Sequence, residues 1–493
     1  MYTLRSVLIQ DKSPGQIGLP ATLRSPAAGR YGRDPLGAHK APNPWARLDG
    51  EKPQIKLKSI YFLPVLQQAA YWGVGLIMTP ASASGALRPT VSTATATAIV
   101  VADMVGVGVF TSLGYQVQDI PSGFSLLLLW IVGGIVALCG VAAYSELAGM
   151  FPRSSGEYNY LARSYHPAIG FLAGWLSATV GFAAPIALAA MAFGEYFKAL
   201  VPGAPALALV VAFLIAGMAL GTPQPISFAP SAIDLTHVAG APFAISLVFV
   251  MYSYSGWNAA TYIAGEIDDP HRSLPRALFA GTLIVLVLYV GLNAVFLYTT
   301  PMEKMAGQLD VAVIAGRYIF GDWGGRVVGG LICLGLVSSI SAMMWIGPRV
   351  TMTMGEDIPM LRFFSRKSKN GVPTVAVLFQ LVIVNLMLFT QSFEAVLDFI
   401  QFSLTICSFL AVLGVIKLRY THPDLPRPYR AWGYPVTPVI FLLVTAFMLY
   451  YLIIHRPVQS LAGFAMMLAG LAVYGASHFI RTSPPAVQNA NHA

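Results

Sequence analysis

Charge is scarce in this chain. Only 10% of its 493 residues are Asp, Glu, Lys or Arg, against 56% hydrophobic, whereas soluble domains carry roughly 25% charged residues. With a mean hydropathy of +0.66, a soluble globular domain is excluded. Cysteine is as sparse: Cys139, Cys333 and Cys407 sit singly inside apolar stretches. They have neither metal-ligand spacing nor a pairing pattern, so they read as small core residues and imply no disulfide. A phosphate loop, a His/Asp/Glu metal spacing and a nucleophile motif are also missing, so neither an enzyme nor a cofactor or metal is expected. The net charge of +9 would suit nucleic acid, but the bases lie in short loops between apolar runs and not on one face. Nucleic acid is therefore not an expected partner.

The few charges that exist are ordered. From Arg153 to Arg427 the basic residues fall in every second gap between apolar stretches: Arg153 and Arg163 in 145–166, Arg272 in 268–275, Arg362, Arg366, Lys367 and Lys369 in 349–370, and four more in 417–430. The gaps around Gln118, 222–240 and Gln391 have none, and the one near Pro301 has little beyond Lys304. Membrane proteins keep Lys and Arg in cytoplasmic loops, so the pattern predicts a multi-pass protein of the cytoplasmic membrane with the basic loops inside and the lipid bilayer as its solvent.

A helical span needs about 20 mostly apolar residues. That criterion places eleven spans near 93–117, 124–144, 167–199, 205–221, 241–264, 277–299, 323–347, 372–390, 393–417, 435–455 and 458–480. Helix-period amphipathicity over 311–320 predicts a short helix lying at the outer surface. Residues 1–58, rich in Pro, Gly, Arg and Lys, are expected to be disordered. The apolar stretch 59–78 is interrupted by Pro64, Gln67 and Gln68 and reads as a marginal span or a surface helix. Met78 precedes an Ala/Ser/Thr stretch and is open as an alternative start of translation. The organisation expected is thus an extension over 1–92, a membrane-spanning domain over 93–480 and a disordered tail over 481–493.

Two spans carry a glycine-centred irregularity at their midpoints: Gly106, Val107, Gly108, Val109 and Phe110 in the first, and residues 252–258, Tyr-Ser-Tyr-Ser-Gly-Trp-Asn, in the fifth. Such interruptions at corresponding positions of two halves point to a substrate site. Unwinding frees backbone N–H and C=O groups that hydrocarbon cannot satisfy, and a zwitterion satisfies both. A half-helix starting near Gly108 would present N–H groups and a positive dipole end to a carboxylate, while carbonyls around Tyr252 to Ser255 would accept from an ammonium. The alternative is that the glycines only let helices pack closely.

The segments GVGVF, SELAGMFPRSSGEYNYL (145–161), HPAIGFLAGW (166–175), YSYSGWNAATYIAGEIDDPHRSLPRAL (252–278), SSISAMMWIGPRV (338–350) and HPDLPRPYRAWGYPVTP (422–438) together resemble the amino acid permeases of the amino acid, polyamine and organocation superfamily, closest to its L-type branch. The resemblance covers roughly 96–480. It implies an all-α integral membrane transporter fold: two inverted five-helix repeats, two further C-terminal helices, and alternating access around a midplane site. Carried onto this chain, the carboxylate-binding turn falls on Val107, Gly108 and Val109 beside Gly106. The amino-group carbonyls fall on Met251, Tyr252 and Ser255, with Tyr252 also at the position of an aromatic gate. Trp257 and Asn258 follow the same motif behind the site. Ser338, Ser339 and Ser341 match the region where sodium-coupled relatives place hydroxyl ligands; serines there also bond back to helix carbonyls.

Charges within or beside the membrane need their own account, since burying one costs at least a few kcal/mol. Asp103, about one turn from Gly106, is placed to bind a proton or an amine or to cap the frayed half-helix. Glu146, Arg153 and Glu157 border a basic loop, where an inward-gate ion pair competes with ordinary solvated charge. Glu266 and Arg272 pose the same choice, with Arg349 as a third member.

One piece is missing. The family pattern has two spans between its third helix and the second broken one; this chain has a single apolar run, 205–221, that resembles the start of the fourth helix joined to the end of the fifth. The first repeat is therefore expected to be incomplete, and topological parity fails by one crossing. Making 59–78 a true span restores parity but puts 145–158 outside, against the family pattern. The fifth-helix lysine of proton-coupled relatives has no counterpart, so H+ and Na+ both remain open as coupling ion, in an antiporter or a symporter. The function expected is secondary transport of neutral amino acids, because Val107, Val109 and Tyr252 bring no fixed charge to a substrate side chain. Asp103 leaves a cationic amino acid or polyamine open. The rival expectation is a non-transporting membrane protein that keeps the permease scaffold.

Overall fold

The computed structural model describes residues 91–480 except 198–205, 239, 369–370 and 390–392. The expectations for 1–90 and for the tail after 480 lie outside the described residues. The chain forms α1 (Thr93–Met104), α2 (Gly108–Asp119), α3 (Gly123–Met150), α4 (Glu157–Ser164) and α5 (Pro167–Leu176), which runs through a π-turn (Ser177–Gly181) into α6 (Ala183–Phe197). After α7 (Ala206–Leu220), α8 (Ala232–Val238) and α9 (Ala241–Ser253) comes a 3-10 helix (Ala259–Glu266). Next come α10 (Pro270–Thr299), α11 (Val311–Asp357), α12 (Thr374–Leu388), α13 (Phe393–Thr421), α14 (Val436–His455) and α15 (Pro457–Ile480). Among the described residues there is no β-strand, only an isolated bridge between Val91 and Ile267.

Among the described residues, eight helical segments are long and apolar enough to cross a membrane, or nine if the bent pair α8 and α9, at 66°, is one span. The expected span at 372–390 appears as α12, a shorter apolar helix, and α7 has 15 residues. The outward stripes confirm the solvent: Leu378, Val382 and Leu386, four residues apart on α12, are 58–61% exposed. A stripe of exposed leucine and valine at helical spacing suits hydrocarbon, not water. α11 is two helices joined at Gly321, whose φ of 74° only glycine adopts easily. Its first segment buries Val311, Ala312, Val313 and Ala315 and exposes Tyr318 and Phe320, the amphipathic pattern of a helix that lies on a surface.

Sequence chemistry explains where helices begin and break. Ser92 and Ser122 cap α1 and α3, accepting from the N–H groups of Thr95 and Ser125, each at 3.2 Å. Pro167 and Pro270 stand in first turns, where a missing N–H costs nothing. Asp234 on α8 accepts from Ser122 and Ser125 hydroxyls at 2.5 and 2.6 Å and from the Ser231 N–H at 2.7 Å, pinning α8 to the start of α3. α10 packs against α1 and α3, and α11 against α1 and α6, so long helices flank the broken segments. α7 packs on α10 and α11: the Cβ of an alanine at Gly217 would meet Val295 at 2.3 Å.

Candidate functional site

Both breaks are present. α1 ends at Met104 and α2 starts at Gly108, with residues 105–107 outside either helix. α9 ends at Ser253, and five residues of turn precede the 3-10 helix. The first break folds back on itself through Gly106 N–H to Met104 O at 2.7 Å and Phe110 N–H to Val107 O at 3.1 Å. Among the described residues, the N–H groups of Val107, Gly108 and Val109 donate to no backbone carbonyl, so three donors stand at the N-terminus of α2, where the helix dipole is positive.

At the second break, Ser255 donates to Tyr252 O from its N–H at 2.9 Å and its hydroxyl at 2.6 Å, and Tyr254 N–H donates to Val250 O at 2.9 Å. The structure therefore corrects one expectation about acceptors: the Tyr252 carbonyl is already satisfied within the turn, and Ser255 is what satisfies it. Met251 O loses its helical donor to that turn and, like the carbonyls of Ser255 and Trp257, accepts from no backbone N–H among the described residues. The two breaks touch. An added Cβ at Gly108 would fall 2.4 Å from Ser253 Oγ and 2.7 Å from Ser253 Cα. One at Gly256, whose φ is +101°, would fall 2.6 Å from Asp103 Oδ2. These glycines are contact points between two opened backbones, which is a stricter demand than general close packing.

Tyr289 on α10, which sequence reasoning missed, seals this contact. Its hydroxyl lies 2.5 Å from Met104 O and 3.1 Å from Ser253 O, the carbonyl ends of both interrupted helices. Its ring packs on Trp130 and Tyr254 at 5.6 and 5.1 Å between centroids. One tyrosine within an apolar span gives no signal of this in sequence. Tyr289→Phe should remove the bridge while keeping the packing, costing about 1 kcal/mol of a hydrogen bond to each state that makes it. The expected outcome is transport lowered several-fold with a nearly unchanged melting temperature, read by uptake and thermal unfolding of the same preparation. Equal falls in both would show a purely structural tyrosine.

Beside the breaks lies a small, open-mouthed chamber of about 70 Å³. Met251, Ser255, Gly256, Trp257 and Asn258 reach it from the second break and Asp103 from the first; the π-turn contributes Ser177 and Gly181. π-bulges are frequent at functional sites. α13 adds Gln401, Thr405 and Ser408, a polar stripe spaced four and three residues apart that is legible in the sequence once its helical period is drawn. Tyr252 is 6% exposed and does not line the chamber. Trp257 packs edge-on to Tyr144 at 4.6 Å and against Phe441 at 6.1 Å, so it is also a packing anchor. Asn258 donates to Glu157 and Tyr262 at 3.4 Å.

The ion pairs differ from the expected groupings. Glu146 and Arg153 are not partners: Arg153 forks onto Asp357 at 3.0 and 2.8 Å, while Glu146, fully buried, binds Arg419 at 2.9 and 2.6 Å and the Ala431 N–H at 2.6 Å. Glu266 pairs with Arg349, whose guanidinium lies 4.6 Å over the Trp345 ring. Arg272 stays apart, its side chain 79% exposed and 4.0 Å from Asp269. Asp357 also accepts from Tyr158 at 2.8 Å, and the Tyr158 hydroxyl is pushed above its ordinary range by burial and then by that bond. The three serines proposed as an ion site are not brought together. Ser338 is exposed, Ser341 bonds back to Val337 O at 2.8 Å, and Ser339 alone faces the first break, its buried hydroxyl unpartnered and 3.4 Å from where a Cβ at Gly106 would sit.

Two helices interrupted face to face among long apolar helices, with free N–H groups on one and a free carbonyl on the other, define a membrane carrier of the broken-helix class. A family model described as amino acid permease matches residues 91–221 and 203–477, and the chain belongs to that family. The two matched pieces share 203–221, the run that reads as the start of one family helix joined to the end of the next. The chain is 25% identical over 447 residues to the large neutral amino acids transporter small subunit 2 of Homo sapiens, covering 80% of this chain and 82% of that one. It is 26% identical to the b(0,+)-type amino acid transporter 1 of Mus musculus, over 76% of this chain and 85% of that one. With the Asc-type amino acid transporter 1 of Mus musculus it shares 22% identity over 83% and 84% of the two chains.

Proposed function

We propose that this protein carries amino acids across the cytoplasmic membrane by alternating access around the two breaks, with its basic loops on the cytoplasmic side. The observation that carries the reading is the opposed pair of unsatisfied backbone ends: the N–H groups of Val107, Gly108 and Val109, and the Met251 carbonyl. An α-carboxylate suits the first and an α-ammonium the second, and few other solutes carry both groups on one carbon. Val107, Val109 and Tyr252 bring no charge to the side-chain direction, which supports neutral amino acids as substrates. Similarity to transporters named for large neutral amino acids agrees with this. Glu266–Arg349 and Arg153–Asp357 join segments bordering the basic loops; a carrier opening toward that side would have to part such pairs. H+ and Na+ remain candidate coupling ions, and Ser339 is the hydroxyl best placed for the latter.

Uptake of labelled amino acids into proteoliposomes tests the reading, with Gly108→Trp as the blocked control. Accumulation of at least one neutral amino acid by the wild type alone is expected. Identical traces for the two proteins across the whole panel would favour the scaffold-only alternative, in which the shortened stretch at α7 has cost the protein its transport cycle.

A further inference from the structure

A second cavity, of about 370 Å³, lies among α4, α5, the end of α11 and α15. It is several times larger than the chamber beside the breaks and falls within the ~300–1,000 Å³ typical of small-molecule sites. Its depth in the bilayer follows from the helices that form it. The span Pro167–Phe193 begins at one residue of its wall, Val311–Asp357 ends at another, and Pro457–Ser477 ends at a third. Three spans that terminate at one cavity place it in the headgroup layer, at the edge of the hydrocarbon.

The charge in this cavity is unbalanced. Arg153, Arg163 and Asp357 all line it, and Arg153 donates to both carboxylate oxygens of Asp357, at 3.0 and 2.8 Å. The Tyr158 hydroxyl, also in the wall, donates to the same carboxylate at 2.8 Å. Asp357 is thus neutralised by its neighbours and satisfied by three donors. Arg163, in the last turn of α4, is exposed and makes no hydrogen bond or ion pair among the described residues. The cavity therefore carries one positive charge in excess, on a guanidinium whose planar fork of N–H donors matches phosphate oxygens. Water would satisfy an arginine on an open loop; this one lines a cavity at the depth where lipid phosphates lie.

Toward the bilayer centre the walls turn aromatic and apolar. Phe171 and Tyr474, each about one turn inward from a span end, pack at 5.3 Å between centroids. Trp175 stacks on Phe171 at 6.4 Å and donates to Met466 O at 3.2 Å, which fastens α5 to α15. Along α15, Leu461, Phe464, Leu468 and Leu471 stand three and four residues apart and are 41–68% exposed, a stripe suited to acyl chains. Tyr474, three residues further on, joins that stripe to the cavity.

We infer that this cavity binds the headgroup of an anionic phospholipid, with the phosphate on Arg163 and the acyl chains along the exposed stripe of α15. A lipid with one net negative charge, such as phosphatidylglycerol, matches the single excess charge, whereas a zwitterionic lipid brings a cation of its own. Basic pockets between spans at the membrane surface recognise anionic headgroups in this way. The site is separate from the breaks, and the inference does not rest on the carrier reading.

The test is native mass spectrometry of the full chain, delipidated in detergent and offered an equimolar mixture of phosphatidylglycerol and phosphatidylcholine with the same acyl chains. For the first lipid retained, the wild type should favour phosphatidylglycerol by about fivefold, the size of one basic residue's attraction at a membrane surface. Arg163→Gln should lose that preference. Arg362→Gln, which removes an exposed base of another basic loop that does not line the cavity, should keep it. A large molar excess of inorganic phosphate should leave the retained lipid in place, because the acyl chains hold it as well. Equal retention of the two lipids by the wild type, or a preference that survives Arg163→Gln, overturns the site. The same loss in Arg362→Gln would show diffuse attraction to net charge and also overturn it. Full displacement by phosphate would assign the cavity to a soluble anion and defeat the lipid assignment.

Discussion

Gly108→Ala reduces amino acid uptake at least tenfold while the protein remains folded. The added methyl would lie 2.4 Å from Ser253 Oγ, 2.8 Å from its Cβ and 2.7 Å from its Cα. A hydroxyl can rotate away, but a backbone Cα cannot, so relief requires the two broken segments to move apart. Overpacking of this kind costs about 1–3 kcal/mol, and here it falls on the contact that sets the distance between the free N–H groups and the free carbonyl. A displacement too small to unfold a helical bundle is enough to spoil a site built from opposed backbone ends. Gly335→Ala is the matched control, since nothing lies within 4 Å of its Cβ position; it should retain wild-type uptake. Parallel uptake assays and size-exclusion profiles decide the matter. Full activity in Gly108→Ala would mean that the breaks are not the place where substrate is held.

Glu146→Ala should produce the largest loss of stability of any single change at the basic-loop face. Glu146 is 0% exposed and takes the Arg419 fork bidentately, receives the Ala431 N–H at 2.6 Å, and lies 3.4 Å from the Arg427 Nε. Arg419 also stacks at 3.7 Å on the Tyr434 ring, and Arg427 donates to the carbonyls of Leu418, His422, Pro423 and Leu425. One carboxylate thus organises the end of α13 and the connection to α14. Removing it strands two guanidiniums, one with a side chain only 8% exposed, and breaking a buried pair from one side costs about 3–5 kcal/mol. The melting temperature in detergent should fall by far more than for Arg153→Ala, whose pair with Asp357 is 43% and 33% exposed and contributes at most about 1 kcal/mol. Equal melting temperatures for the two variants would refute the ranking.

How much of this could be read from the sequence varies element by element. The breaks were legible because their cause is local: Gly106 and Gly108 within one apolar run, and a polar turn ending in Gly256 within another. The 311–320 surface helix was legible from its amphipathic period, whereas the kink at Gly321 that sets it apart emerged only from the structure. The polar stripe Gln401, Thr405 and Ser408 stands at helical spacing, but spacing alone does not say that it faces a chamber, because the other walls come from distant segments. The pairings of charge were not legible. Arg153 stands seven residues from Glu146 yet binds Asp357, more than 200 residues away, and Glu146 binds Arg419. Proximity in sequence says little about partners once every polar group is forced to find one inside a bundle.

Composition and local motifs, taken alone, determined that this chain lives in a bilayer and where its helices must open, because each of these follows from a residue and its near neighbours. Only the tertiary structure decided which carbonyls stay free, that Tyr289 bridges both openings, and that Asp103, Glu157 and Gln401 line one chamber. Those outcomes depend on how distant helices dock, and docking is settled by the packing of whole surfaces, which no short window of sequence contains.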